Sequence, residues 1–394
     1  MHSPNLCVVC KGTKKLCGLS SCPLLSRIRL QIGLKEKIEQ EVFGPSNEIF
    51  VGSYGYPNLS VGPLVSSGER PLSPKEMYGM SYEKIIEERV KLLRGKRFTT
   101  VRKRVEERMS EVALSERSID VEMSFTRKPN FDMKFSSITE PMGASAPLKD
   151  YRIAGNPKIP GKVDSILEDN LLAVEAIDEL HSYGFDNYYL SRIMCTGVLG
   201  KKENRRIVPT RWSITSVDDI IGKKLMERVR EFPQLNEILV FSNEFLHNHF
   251  EILLIPGNWE FENFESWSPK SIWAQEAKEP VISEEYEGFF GRTNYAENQV
   301  GGYYASRIGI LEYLNRIRRQ ARVVVIREIG EGYIVPVGVW EVRQNVRHAF
   351  SRKGKKFASL SEALQDVSTR LRSPINEYKI RSKILSQSRL NQFF

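Results

Sequence analysis

The chain has 394 residues, 41% hydrophobic and 10% aromatic, enough to bury a large core in two lobes with appendages, and this excludes a disordered chain. No apolar run nears the roughly 20 residues that span a bilayer; Ile252 to Ile255 and Val323 to Ile326 are typical of what is present. Net charge is +9 and gathers at the ends: from Arg343 onward 12 Lys and Arg face only Glu362, Asp366 and Glu377, and the first 37 residues carry a surplus of six, a pattern of phosphate-seeking ends or of solvated linker charge.

The start, Met1-His-Ser-Pro-Asn, has no apolar leader, so an intracellular protein is expected. Cys7, Cys10, Cys17 and Cys22 then follow with spacing C-x₂-C-x₆-C-x₄-C. This spacing suits one tetrahedral zinc, and Gly12 and Gly18 permit the turns that bring the second pair back. An iron–sulfur cluster is the competing reading, whereas disulfides do not suit reduced surroundings. Four protein sulfurs leave no open position for a substrate, so residues 1–36 are expected to form a structural zinc-binding module.

Residues 37–345 read as a mixed α/β (α+β) core. Helices are predicted at Ser81 to Leu93, with Gly95 as the stop, at Ser165 to Tyr183 between Asp164 and Gly184, at Val217 to Glu231, and at Tyr303 to Arg319. Strands are predicted at Glu237 to Phe241, Asn248 to Ile255, Arg322 to Ile329 and Tyr333 to Val342. The Gly-, Pro- and Ser-rich stretches Gly44 to Pro74 and Phe125 to Gly161 read as ordered loops or connections. Cys195, with no histidine close in sequence, reads as a small buried hydrophobe. Residues 346–386 read as a basic linker with one helix, Ser361 to Leu371.

Neither G-x-x-x-x-G-K-[ST] nor a strand followed by G-x-G-x-x-G is present, which sets aside P-loop hydrolysis and a dinucleotide fold. The nearest substitute runs from Cys195 to Asp219. There Lys201, Lys202, Thr210, Arg211, Ser213 and Thr215 are candidate phosphate-binding residues at a helix start, and Trp212 can stack on a base. A basic hairpin before an ordinarily capped helix is the plainer reading. In an extended strand His247, His249 and Glu251 share one face, where they can meet a second, catalytic divalent metal, with Asp218 or Asp219 completing the set. Arg211, His249 and Glu251 are therefore the catalytic candidates of a metal-dependent nuclease or nucleotide-processing enzyme; a solvent-facing polar strand is the alternative. The acidic, aromatic stretch Trp259 to Phe290 repels phosphate and reads either as packing or as a lid, cover or protein-contact surface. At Gly301-Gly302 the glycines invite close backbone approach, to a ligand or to a packed helix.

The final residues, Gln387-Ser-Arg-Leu390-Asn-Gln-Phe393-Phe394, spell Gln-x-x-aliphatic-x-x-aromatic-aromatic. Residues three apart share one side of a 3₁₀ turn, so Leu390 and Phe393 join Phe394 as one apolar plug and Gln387 serves a polar pocket. This is the peptide by which replication and repair proteins bind the sliding clamp (PCNA), and residues 387–394 are assigned that role. Together with the four cysteines, Val208-Pro-Thr-Arg-Trp-Ser-Ile-Thr, Asn248-His-Phe-Glu, Ile255-Pro-Gly-Asn-Trp and Gly301-Gly-Tyr-Tyr-Ala, it resembles the archaeal Nre family of DNA repair proteins through nearly the whole chain. That resemblance implies an archaeal cytoplasm, contact with the clamp and a part in tolerating DNA damage such as crosslinks, with DNA as a partner and no membrane. It carries no catalytic mechanism. Three roles are open: a clamp-recruited enzyme acting on damaged DNA or a nucleotide, a non-catalytic clamp-tethered DNA-binding adaptor, and an enzyme that modifies a protein or nucleotide cofactor.

Overall fold

The structure, a computed structural model, describes residues 38–386 except 104, 132–141, 270, 272–273, 275–276 and 334–335. The four cysteines of the expected zinc module and residues 387–394, expected to bind the clamp, lie outside the described residues. The described chain is mixed α/β and divides into two compact units, 38–221 and 222–386. Among the described residues no helix is long and apolar enough to cross a membrane.

The unit of residues 38–221 contains β1 (Glu41–Ser46), β2 (Glu48–Val51), β3 (Asn58–Ser66), α1 (Pro74–Met77), α2 (Tyr82–Val90), β4 (Leu92–Thr100), α3 (Glu107–Leu114), β5 (Ile119–Phe125), β6 (Ser145–Ile153), α4 (Gly161–Glu168), α5 (Ala173–Tyr183) and α6 (Asn187–Thr196). Its sheet has the order β1-β5-β6-β4-β3-β2, antiparallel except for β4 beside β6. The stretch Gly44 to Pro74, expected as loop, supplies β2, β3 and part of β1. Periodicity hid β3 because Val61 through Ser66 are buried without alternation. A Cβ at Gly62 would run into the Gly95 carbonyl, so that glycine marks a close strand approach.

Ser81 caps α2 as predicted, its side chain accepting from the Lys84 N–H. The helix ends at Val90, however, because Leu92 and Leu93 are drawn into register with Ser66 and Val65; Gly95 lies within β4. The single helix expected from Ser165 to Tyr183 is two, since Glu175 Oε2 accepts from the Leu172 N–H at 2.8 Å and starts α5 afresh. Gly184, at φ 119°, stops α5 as predicted. Helices α3 and α6 pack on β2, and Val112, Leu190 and Ile193 of the helices and Ile49 and Val51 of the strand are all buried.

The division between units falls within α7 (Thr210–Val229). Beyond it come β7 (Ile238–Phe245), β8 (Asn248–Ile255), β9 (Glu260–Trp267), β10 (Val281–Glu287), α8 (Gly301–Ile317), β11 (Arg322–Ile329), α9 (Trp340–Ala349), β12 (Lys355–Phe357), α10 (Leu360–Ser368), α11 (Ile375–Arg381) and α12 (Lys383–Ser386). Strand order is β10-β9-β11-β8-β7-β12, with β9 and β11 parallel and the rest antiparallel. Strands β8 and β11 have the predicted bounds. The described residues between Tyr333 and Val342 form no strand: Gly338 turns the chain at φ 103° and α9 begins at Trp340.

All eight residues of β9 are buried, so the first part of the acidic, aromatic stretch is sheet interior, while β10 forms the partly exposed edge strand beside it. Phe261, Asn263, Glu265 and Trp267 face one side, which α8 shares, and Glu260, Glu262, Phe264 and Ser266 the other. On that second side Phe264, Leu253, Val324 and Ile326 form a core with Leu364, Val367, Tyr378 and Ile384, each fully buried apolar side chain stabilising by roughly 1.5–3 kcal/mol. Residues 346–386 are therefore a folded layer and not the linker expected. Three strands each present a carboxylate that clasps this layer. Glu251 takes Arg370, Glu328 accepts from the N–H groups of Arg372 (2.7 Å) and Ser373 (2.9 Å) and the Tyr378 hydroxyl (2.8 Å), and Glu262 accepts from the Ser382 hydroxyl and the Lys383 N–H (2.7 Å). Burial pushes Glu262 up to about 7, against the pull of those donors.

Candidate functional site

In the 38–221 unit, α7 starts at Thr210, not Val217, because the Pro209 carbonyl already accepts from the N–H groups of Trp212 (2.8 Å) and Ser213 (2.9 Å). This moves the predicted phosphate cradle into the helix. Thr210 Oγ1 accepts from the Val51 N–H at 2.9 Å, the buried Ser213 hydroxyl donates to the Thr210 carbonyl, and Thr215 bonds back to the Arg211 carbonyl. Those hydroxyls thus hold protein. Lys201 and Lys202 lead into a 3₁₀ turn (Lys202–Asn204) whose Lys202 N–H donates to Asn170, while Arg205 donates to the Gly200 and Leu167 carbonyls. Arg211 and Trp212 stay exposed, and the Trp212 ring lies 5.2 Å from that of Tyr56. Asp218 is fully buried and accepts from Asn187 at 3.1 Å. Cys195 is buried as expected, and desolvation pushes its thiol up to about 12, far from a nucleophile's range.

His249 and Glu251 lie in the other unit from Arg211. His247 does not share their strand: with Leu246 it forms the β7–β8 turn, both residues at positive φ (49° and 58°). His249 Nε2 is 2.9 Å from Glu251 Oε1. Glu251, wholly buried, also accepts from Ser242 (2.8 Å) and from both arms of Arg370 (2.7 and 2.8 Å). Burial pushes its carboxyl up, but Arg370, His249 and Ser242 outweigh that and hold it below the usual range. Its lone pairs are filled by the donors that dock α10. Among the described residues, no three His, Cys, Asp or Glu side chains form a group able to hold a metal.

The chemistry-bearing cluster is one that pattern reading missed. Arg327 of β11 donates to Glu265 of β9 at 2.7 Å and to Asn248 Oδ1 of β8 at 3.0 and 2.6 Å, and lies 3.4 Å from Glu341 of α9. Asn345 donates to Glu341 (3.0 Å) and accepts from Asn243 (2.6 Å). The site lies toward the carboxyl ends of the parallel pair β9 and β11, the end of a sheet where α/β proteins bind ligands. There α8 begins so close to Glu265 that a Cβ at Gly302 would sit 2.6 Å from Glu265 Oε1. Val300, before the two glycines, holds φ 48°, a strained conformation for a β-branched residue. Two carboxyls share one guanidinium, so both cannot be fully neutralised. Burial pushes Glu341 up to about 7, Arg327 and Asn345 pulling against it, and Glu265 rises for the same first cause. A carboxyl that titrates near neutrality beside a fixed cation is equipped for general acid–base work. The signal in sequence was Gly301-Gly302 and the alternation of acids with aromatics along β9.

The molecule is thus a two-unit mixed α/β protein with a buried acid–arginine cluster in its C-terminal unit. Its residues 16–274 match the family model described as archaeal Nre, N-terminal, and residues 287–393 that described as archaeal Nre, C-terminal. The chain belongs to the archaeal Nre family. It is 39% identical to DNA repair protein NreA of Archaeoglobus fulgidus over 98% of both chains, and 35% identical to DNA repair protein NreB of that organism over 97% of both. DNA repair protein NreA of Haloferax volcanii is 36% identical over 86% of this chain and 84% of its own. No solved structure matches.

Proposed function

We propose that this protein repairs DNA and is brought to damaged or blocked duplexes by the sliding clamp, which holds Gln387, Leu390, Phe393 and Phe394. The names of its relatives and the basic balance of its sequence support a role on DNA. The observation that carries the reading is the sequence Gln-x-x-Leu-x-x-Phe-Phe of residues 387–394, which follows directly on α12, whose Ile384 is buried in the C-terminal layer. No long leash intervenes, so clamp binding would keep the body within a few residues' reach of the ring, at roughly 3.5 Å per extended residue. Cys7, Cys10, Cys17 and Cys22 would hold the structural zinc of a small N-terminal module, supplying fold and not chemistry. Within this role the acid–arginine cluster favours an enzyme acting on DNA or a nucleotide over an adaptor: Arg327 stands between Glu265 (2.7 Å) and Glu341 (3.4 Å), and burial raises both carboxyls, an arrangement that suits acid–base chemistry and that a tether does not need.

Calorimetric titration of the full chain against the purified clamp tests the recruitment. Saturable binding that disappears in Phe393→Ala/Phe394→Ala is expected; equal binding by that variant would refute it.

A further inference from the structure

We propose that Tyr56 and Trp212 form a stacking platform for the unpaired bases of single-stranded DNA. This deepens the reading above by naming the form of DNA that the body grips.

The platform is assembled from two parts of the 38–221 unit. The loop between β2 and β3 supplies Tyr56, and the first turn of α7 supplies Trp212; the Val51 N–H bonded to Thr210 ties the end of β2 to that turn. The ring centroids stand 5.2 Å apart at 51°. Tyr56 remains 53% exposed and Trp212 44%, so each large ring keeps about half its surface for a partner, and Tyr54 in the same loop is 97% exposed. Rings exposed side by side, rather than scattered singly, mark a contact surface.

Charge decides what does. Arg211 precedes Trp212, and Arg102 and Lys103 follow Val101, whose N–H donates at 2.9 Å to the carbonyl of Pro57, the neighbour of Tyr56. All three cations are exposed, and among the described residues none pairs with a carboxylate. A protein partner with an apolar patch would not need them. A strand with a π-face on every base and a phosphate between successive bases meets both features at once. Duplex DNA meets only the cations, because its base faces are already stacked on each other.

Trp212 also reports on its own occupancy. Trp259, Trp267 and Trp340 are buried, so quenching by an added strand falls chiefly on Trp212 among the described tryptophans. The full chain is titrated with a thymidine oligonucleotide and with a duplex of equal length, following tryptophan fluorescence and, in parallel, the anisotropy of a labelled strand. Tighter binding of the single strand is expected, with quenching. Trp212→Ala and Tyr56→Ala should each weaken single-strand binding roughly tenfold, the scale of one lost base stack, while leaving duplex binding unchanged. Trp212→Phe should restore most of the affinity, and equal melting curves guard against misfolding. Equal affinity for single strand and duplex, or alanine variants that bind like wild type, would overturn the platform. The clamp titration stands apart from this result. Phe393→Ala/Phe394→Ala should bind the oligonucleotide normally, and Trp212→Ala should bind the clamp normally, so either idea can fail alone.

Discussion

Replacing Glu341 with Gln asks whether burial or Arg327 governs the charge of the cluster between β9, β11 and α9. Glu341 is wholly buried, receives a hydrogen bond from Asn345 at 3.0 Å, and stands 3.4 Å from Arg327, which Glu265 already holds at 2.7 Å. Burial is the larger influence and raises its carboxyl from 4.5 to about 7. The native state therefore keeps a proton that the unfolded chain releases. Below the unfolded value both states are protonated and the group contributes nothing to pH dependence. Between the unfolded and folded values the wild type loses about 1.4 kcal/mol of stability per pH unit from this group, and the full loss of roughly 3 kcal/mol is in place above the folded value. Gln cannot ionise and escapes that loss, although its amide serves Arg327 less well than a carboxylate. Denaturant melts at pH 5 and pH 8 measure the difference; comparing wild type with the variant cancels other groups, including Glu262. The stability of Glu341→Gln relative to wild type should rise by about 2–3 kcal/mol between those conditions. A difference that does not change with pH, or one that increasingly favours the wild type, would mean that Arg327 keeps Glu341 ionised throughout, and the acid–base assignment would go with it.

Arg370→Leu removes the two-armed partner of the buried Glu251, while Arg370 itself is partly exposed; a cost of about 2 kcal/mol in denaturant melts at neutral pH is expected. Because Glu251 is held below its ordinary value, that contribution is present above 4.5 and should fade as pH falls through the lower folded value. Gly302→Ala adds a Cβ 2.6 Å from Glu265 Oε1, and overpacking of about 1–3 kcal/mol should exceed the helix gain of up to about 1, so a stabilised variant would contradict the close approach. Tyr378→Phe deletes the 2.8 Å bond to Glu328 and should cost about 1 kcal/mol, read as faster hydrogen exchange across residues 370–386; unchanged exchange would show that the Tyr378 hydroxyl adds nothing to the hold that the Arg372 and Ser373 N–H groups give Glu328.

Local chemistry was legible in the amino-acid order wherever a decision depends on neighbours in the chain. Ser81 capped α2, Gly184 ended α5, and β8 and β11, each built on a short aliphatic run, had the bounds read from the amino-acid order. Mixed α/β character followed from the same signals. Tertiary structure alone decided the meaning of the charges. Glu262, Glu265 and Glu251 look like surface acids in the string, and each is buried because its partner, Ser382, Arg327 or Arg370, comes from 62 to 120 residues away. A basic C-terminal stretch became a packed layer for the same reason: its cations and amides satisfy carboxylates on strands that no local window contains. The roles of Thr210, Ser213 and Thr215 were open in the string likewise, since only contact with Val51 and the helix itself shows where their hydroxyls are bonded. Propensity acts over a few residues, whereas the desolvation that makes a buried charge costly, and the pairing that offsets it, act across space.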